Sequence, residues 1–507
     1  MEKEKLKNTD NGDFILKRKE YLHFFCFNLL LFLSTYFAFI FFKHYGLDDY
    51  SIIADLSELH KNALNNGRFS LMVVYDFFIA LGFNPVVNQT VMALLVVFVF
   101  SLSTTAITIR ILELGEVRES GEKILINLGA LILLLNVFVT EWFTFVLSYA
   151  QWALGILCAV YSAILMSYSS RVKKIFAIVL LALAINAYQT MAVYFAVLIM
   201  IFIYLKQKDT FSIYKAIKET CVAALAAIII MGLNIGFAHM IGKMGEETAA
   251  SRYDNLSFSA ENIKKILNAQ KNIWIDGKNL LPHGYMLLFL IIFVSLLLYT
   301  SRQYRINWQR VMYCFLIYSA AILVTFLPQV LEVWMTPRSL VSLFCLLSIS
   351  IFFVTMWGKG FNATKKLCVF SALVFLAINF YYIQKIAISM FQVNTLEKEH
   401  AKLIKYEIDK YERESGIEVK YISFYRDKAP QYKYEGTFVC PGEDMFNKSY
   451  LIEWGDIYAL NFYTGLSLSK EKPEEDYIKY FQDYNWDCLD LEEQLIFDGD
   501  RCHYCVY

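Results

Sequence analysis

Long apolar runs recur along most of this chain, most of them long enough to cross a bilayer, with the charged residues gathered in the loops between and at the ends. They lie near 21–42, 88–109, 124–141, 144–168, 175–188, 190–205, 219–241, 284–300, 311–327, 339–357 and 367–384. At roughly twenty residues per crossing they predict about eleven transmembrane helices. Composition agrees, since 57% hydrophobic and 17% aromatic residues exceed what an ordinary soluble domain carries. A formal net charge of zero gives no basic field for nucleic acid, and no nucleic-acid partner is expected. The fold class expected is an α-helical polytopic membrane protein.

Charge orients the spans. The segment Tyr21 to Phe42 is longer than a signal-peptide core, has no small-residue cleavage site and follows Lys17-Arg18-Lys19, so it reads as a retained anchor. The loops near 110–123, 171–174, 206–218, 302–310 and 359–366 carry lysines and arginines. They share one side with the tail 1–20 only if the apolar stretch 69–83 does not cross, and that side is then the cytoplasm. Stretch 69–83 is therefore expected to lie on the outer surface as an interfacial helix. A second is expected within the outer loop 243–283, in SAENIKKILNAQKNIW. The continuous stretch 175–205 is too long for one span and short for two, which predicts a hairpin of short helices with Gln189 at its outer apex, level with Glu141 and Tyr149. These polar groups either meet a substrate or satisfy backbone exposed at a helix turn.

The outer loop 43–87 carries the chemistry. It opens with LDDYSIIADLSELHKNALNNGRF, which sets Asp48 and Asp49 side by side at a membrane surface and Arg68 further along. A carboxylate there can take a proton from an acceptor hydroxyl, and a guanidinium can grip a phosphate with two hydrogen bonds. The plainer alternative for the pair is a solvated turn. Arg338, directly after Pro337 at the end of the outer turn that starts at Pro328, either binds a lipid phosphate or extends its charge to the interface.

From about 386 the composition turns polar, with NTLEKEHAKLIKYEIDKYERESG followed by the strand-like VKYISFY, predicting a small α/β domain over 386–507 on the outer side. Its Cys440, Cys488, Cys502 and Cys505 read as disulfides or free thiols rather than as a metal site beside His503, because a fuller zinc ligand set is absent. P-loop, H-E-x-x-H and dinucleotide fingerprints are missing.

GLDDYS after the first span, NGRF closing the outer loop, AYQTM at the hairpin and MTPRSL before a late span together resemble the bacterial Gtr-type glucosyltransferase family, membrane enzymes of the GT-C architecture. The resemblance covers the layout of most of residues 20–385. It implies a transmembrane glycosyltransferase domain over 21–385 that moves a hexose, glucose in that family, from a polyprenyl-phosphate carrier to a surface glycan such as O-antigen or a cell-wall polymer. The setting would be the outer face of the bacterial cytoplasmic membrane. It places Asp48 or Asp49 at the catalytic loop and Arg68 and Arg338 on the donor phosphate, while Glu141, Tyr149 and Gln189 are substrate-binding candidates by their shared level at the hairpin apex. A lipid-linked donor needs no nucleotide cofactor, and a divalent ion on the second carboxylate stays open. The rival reading is a transporter or flippase of lipid-linked sugar, in which polar groups within the spans line a passage. A non-catalytic assembly or sensor protein is a third.

Overall fold

A peptide group in hydrocarbon must find its partner within the chain, which makes the helix the default for an apolar run. The computed structural model describes residues 2–207, 210–244, 259–331, 333, 335–438 and 446–507, with residues 2–17 given by their backbone alone. Among the described residues eight helices are long and apolar enough to cross a membrane: Gln89–Gly115, Ser120–Thr144, Val146–Met166, Ile213–Ala238, Tyr285–Gln303, Trp308–Leu327, Pro337–Trp357 and Ala363–Ser415. The protein is a multi-pass helical membrane protein. The higher sequence count also included the first helix, Glu2–Thr35, and the pair Arg171–Ala187 and Met191–Gln207. That pair forms the expected hairpin, turning at Tyr188, Gln189 and Thr190. Each of its helices has 17 residues, so at 1.5 Å per residue each reaches only about 25 Å.

Phe69–Ala80 is a helix of 12 residues, about 18 Å long and short of the roughly 30 Å hydrocarbon core. It buries Leu71 and Tyr75 and exposes Val73 and Phe77, as a helix lying on an interface would. Ala260–Trp274 starts on the Ser259 hydroxyl, which accepts the Asn262 N–H at 3.1 Å, and it buries Ile266 and Ile273 while exposing Leu267. Residues 245–258 of the same loop lie outside the described residues.

The expected straight spans 124–141 and 144–168 are broken where they meet. Helix Ser120–Leu134 stops, and the short turns Val137–Val139, Thr140–Thr144 and Val146–Ser148 precede Tyr149–Met166. Every residue from Leu125 to Thr144 is buried. Irregular backbone at that depth requires side-chain partners. Asn136 Oδ1 accepts the Val139 N–H at 3.2 Å, and Asn379 Oδ1 accepts the Val137 N–H at 2.9 Å. A second interrupted stretch, Pro337–Leu340 and Val341–Phe344, packs against these turns before Cys345–Trp357 begins.

The last helix, Ala363–Ser415, has 53 residues and is about 80 Å long, far beyond the hydrocarbon thickness. The composition change near 385 therefore falls inside a helix. A single buried stripe runs its length through Cys368, Ala372, Phe375, Asn379, Ile383, Ile386, Met390, Val393, Glu397, Ala401, Ile404 and Ile408. Its early members pack in the membrane core, and Ala401, Ile404 and Ile408 join a separate core with Ile422, Leu460 and Tyr504.

That second core underlies a four-stranded sheet of β1 (Tyr421–Arg426), β2 (Ser469–Lys470), β3 (Leu495–Asp498) and β4 (Arg501–Val506), in the order β2-β1-β4-β3. β1 runs parallel to both neighbours, and β3 and β4 form an antiparallel hairpin. Cys502 and Cys505 stand three apart on β4 and so point to opposite faces, one into the helix-side core and the other toward Phe481 and Trp486. Strand geometry keeps them from pairing; both are free thiols, as is Cys488, while Cys440 lies outside the described residues. His503 stacks on Tyr477 at 3.8 Å and shares a hydrogen bond with the Tyr425 hydroxyl at 2.9 Å, which ties it into an aromatic cluster.

Candidate active site

The loop carrying the acidic pair is fastened at nearly every residue. Asn394 on the long helix accepts the Tyr45 N–H at 2.8 Å and donates to the Tyr45 carbonyl at 3.0 Å. Gly46 has no room for a side chain, because a Cβ would come within 2.8 Å of the Thr144 carbonyl oxygen. The Tyr50 hydroxyl donates to Glu397 Oε2 at 3.0 Å and lies 2.9 Å from the Tyr463 hydroxyl.

Sequence alone treats Asp48 and Asp49 as equivalent, and the fold separates them. Asp49 is fully buried at the start of helix Asp49–Ala54. Its Oδ2 accepts the Gly46 N–H at 2.7 Å and the Val146 N–H at 3.4 Å, and its Oδ1 accepts the Leu147 N–H at 2.8 Å. It thus ties the loop to the broken segment between helices Ser120–Leu134 and Tyr149–Met166. Asp48, just before that helix, is only half-buried.

Burial pushes the Asp49 carboxyl up to about 7, with Asp48 adding to the shift and the backbone N–H groups opposing it. The folded value lies above the ordinary 3.8, so the bound proton contributes stability that is complete at acid pH and is lost as pH rises through about 7. The melting temperature of the purified protein should therefore fall as pH rises from about 4 to about 7 and level off above that. Asp49→Asn, which cannot titrate, should show a shallower fall, and equal slopes in melts of the two proteins would remove Asp49 as the group responsible.

On the other side of the broken segment, Glu141 is 1% exposed and meets Arg338 twice. Arg338 donates from a terminal guanidinium nitrogen to Glu141 Oε1 at 2.7 Å and from its backbone N–H to Oε2. The guanidinium also lies over the Phe145 ring at 4.5 Å, and Trp142 Nε1 donates to the Arg338 carbonyl at 3.3 Å. Thr140 and Thr336, close in sequence to Glu141 and Arg338, have buried hydroxyls with no hydrogen-bond partner among the described residues, and both polar atoms of buried Gln151 are in the same condition. Orphaned groups of this kind cost about 1–3 kcal/mol each and mark places where water or a polar ligand belongs.

Tyr149 lies wholly inside, its hydroxyl donating to the Phe143 carbonyl at 2.9 Å and approaching His44 Nε2 at 3.3 Å. It orders the broken segment. Arg68 directly precedes helix Phe69–Ala80, with its guanidinium 5.7 Å from the Tyr188 ring centroid, which sets it beside Gln189 at the hairpin turn. Tyr188 meets Trp152 edge-on at 4.9 Å, and Trp152 stacks on Trp142 at 4.7 Å, so an aromatic row runs from the Arg68 side to the Arg338 side.

Sequence reasoning missed Asn394, Glu397, Trp142, Trp152 and the orphaned hydroxyls. Asn394 and Glu397 follow the last apolar run, where they look like ordinary residues of a solvated helix. An apolar groove of about 230 Å³, lined by Ala38, Phe39, Phe42, Ala387, Ile388 and Phe391, opens beside His44 at the foot of the acidic loop. Among the described residues no three His, Cys, Asp or Glu side chains are grouped to hold a metal ion, so the divalent ion left open by the sequence has no ligand set there.

The family model described as Glucosyl transferase GtrII matches residues 37–355, more than half of the chain. The match begins just before the acidic loop and includes Asp48, Asp49, Arg68, Glu141, Tyr149, Gln189 and Arg338. No curated protein and no solved structure matches the chain.

Proposed function

Because the chain belongs to the GtrII glucosyl transferase family, we propose that it moves glucose from a polyprenyl-phosphate carrier to a surface glycan, at the outer face of the bacterial cytoplasmic membrane. Glycosyl transfer follows from the membership, which sets the transporter and assembly readings aside. The carrier, the acceptor and the side of the membrane are the proposal. The observation that carries it is the convergence of a buried carboxylate, Asp49, and a paired arginine, Arg338, on one broken segment, 141–147.

In this scheme Asp48 is the general base. The acceptor hydroxyl attacks the anomeric carbon, its proton passes to Asp48, and the bond from that carbon to the phosphate oxygen breaks. Negative charge grows on the departing phosphate, where Arg338 and Arg68 stabilise it. Asp49 and Tyr149 hold the loop and the broken segment in register, and Glu141 fixes the Arg338 side chain. Gln189 stands at the hairpin turn as a sugar contact, and the hydroxyls of Thr140 and Thr336, without a hydrogen-bond partner among the described residues, are available to sugar hydroxyls. The groove beside His44 suits the carrier's hydrocarbon chain, since it is apolar and Phe42, Ile388 and Phe391 are exposed along it. Basic loops at the other ends of the spans favour a cytoplasmic N-terminus and an extracytoplasmic C-terminal domain.

The test uses the full chain in lipid vesicles with radiolabelled polyprenyl-phosphate glucose and surface polysaccharide from cells lacking the protein. Label should pass to the polysaccharide. Transfer from a nucleotide sugar but not from the lipid-linked one would overturn the donor assignment.

A further inference from the structure

The C-terminal domain contains a cleft that neither the family match nor the chemistry above uses. It has a volume of about 530 Å³ and opens where the parallel strands β1 and β2 end, between Phe424, Tyr425 and Arg426 on one side and Lys470, Glu471 and Lys472 on the other. The space outside the carboxyl ends of parallel strands is where open α/β sheets bind ligands. We propose that this cleft binds the acceptor polysaccharide and presents it to the acidic loop, an inference that rests on the glycosyl-transfer reading and names its second substrate site.

Three observations carry it. The first is charge: the lining holds three cations, Arg426, Lys470 and Lys472, and three carboxylates, Glu453, Asp456 and Glu471. Such a balance repels neither partner of a hydroxyl-rich chain and offers it donors and acceptors together, while the Phe424 ring gives a face to the C–H side of a sugar.

The second is preorganisation. The Asp456 side chain is 3% exposed and accepts from Lys470 Nζ at 2.5 Å, and the same nitrogen donates to the Glu453 carbonyl at 2.8 Å. Two of the three ammonium donors are thus fixed within the wall and one is left for a ligand. Arg426 is anchored through one terminal nitrogen to the Leu451 carbonyl at 2.9 Å and is otherwise exposed.

The third is position. The wall 449–456 also touches the candidate catalytic machinery. The Ser449 N–H donates to Glu397 Oε1 at 2.6 Å, on the carboxylate that receives the Tyr50 hydroxyl. Gly455 lies next to Leu47, the residue before Asp48: a Cβ there would be in ordinary contact, 3.5 Å from the Leu47 carbonyl oxygen. A chain lying in the cleft is therefore separated from the acidic loop by one layer of backbone.

The experiment measures binding and turnover separately, in the full-length protein in detergent, with polysaccharide from cells lacking the protein as the probe. The variant is the double substitution Arg426→Ala with Lys472→Ala, two exposed side chains, and its melting temperature is measured beside that of the wild type. Loss of hydrogen bonds from charged donors should raise the Kd for polysaccharide about tenfold or more by calorimetry. It should raise the KM for polysaccharide to match, with kcat and the donor KM unaltered. A variant that binds as the wild type does, or a wild type that binds no polysaccharide while still glucosylating a small soluble glycoside, overturns the inference. Polysaccharide binding that the variant loses, in a protein that transfers no glucose, upholds the cleft and counts against the transfer reading alone.

Discussion

Asp48→Asn should lower glucose transfer by roughly 10²–10⁴, the contribution of a positioned general base, with the melting temperature and donor binding left as they are. The amide keeps the size of the side chain and removes only its ability to take a proton. Asp49→Asn should fail differently. Its oxygens accept three backbone N–H groups, and an amide nitrogen must then face at least one of those donors. An unmet donor pair costs about 1–3 kcal/mol, so this variant should melt earlier and lose transfer in proportion to the displaced loop. The check is transfer at matched membrane expression beside a thermal melt for each protein. If Asp49→Asn stays fully stable yet loses transfer while Asp48→Asn works normally, the two roles are exchanged. Near-normal transfer by both would leave the pair without a part in the chemistry.

Arg338→Ala should be the most damaging single change to folding, because it leaves Glu141 buried as a carboxylate without its cation. Breaking such a pair costs about 3–5 kcal/mol. Removing both charges with Glu141→Leu and Arg338→Met should recover most of that stability, since a well-packed apolar pair often replaces a buried ion pair without loss. Transfer should stay low in the double variant, because the guanidinium proposed to hold the donor phosphate is gone. Arg338→Lys should retain the charge and restore only part of the rate, as an ammonium lacks the planar fork. Melting temperature and donor KM decide the matter. A double variant that regains both stability and transfer would reduce Arg338 to a structural role.

The spans, the hairpin around Gln189, the short helix at 69–80 and strand β1 were all legible in the chain, because each follows from a local pattern: apolar length, a polar apex or alternation. The broken segment was not. Its sequence is as apolar as the helices on either side, and what stabilises its turns comes from Asp49 and Asn379, at 97 and 242 residues' distance. The pairing of Glu141 with Arg338 spans 197 residues and leaves no trace in either neighbourhood. Asp48 and Asp49 were visible as a pair, yet nothing local tells which side chain turns inward. The boundary near 385 marks a real change of composition, but a helix crosses it because its buried stripe keeps one phase while the exposed positions turn from apolar to charged.

An uninterrupted helix transmits rotation as well as length. Each residue added to Ala363–Ser415 between its membrane and outer portions would turn the sheet by about 100° and lift it about 1.5 Å. One such insertion swings Asn394 and Glu397 off the loop at 45–50, and only after two full turns, seven residues and about 10 Å, does the same face come round again. The height and bearing of the C-terminal domain relative to the bilayer are therefore counted in helical turns. A homologue that needs a different reach would have to change it in whole steps of phase, or break the helix and give up the setting it imposes.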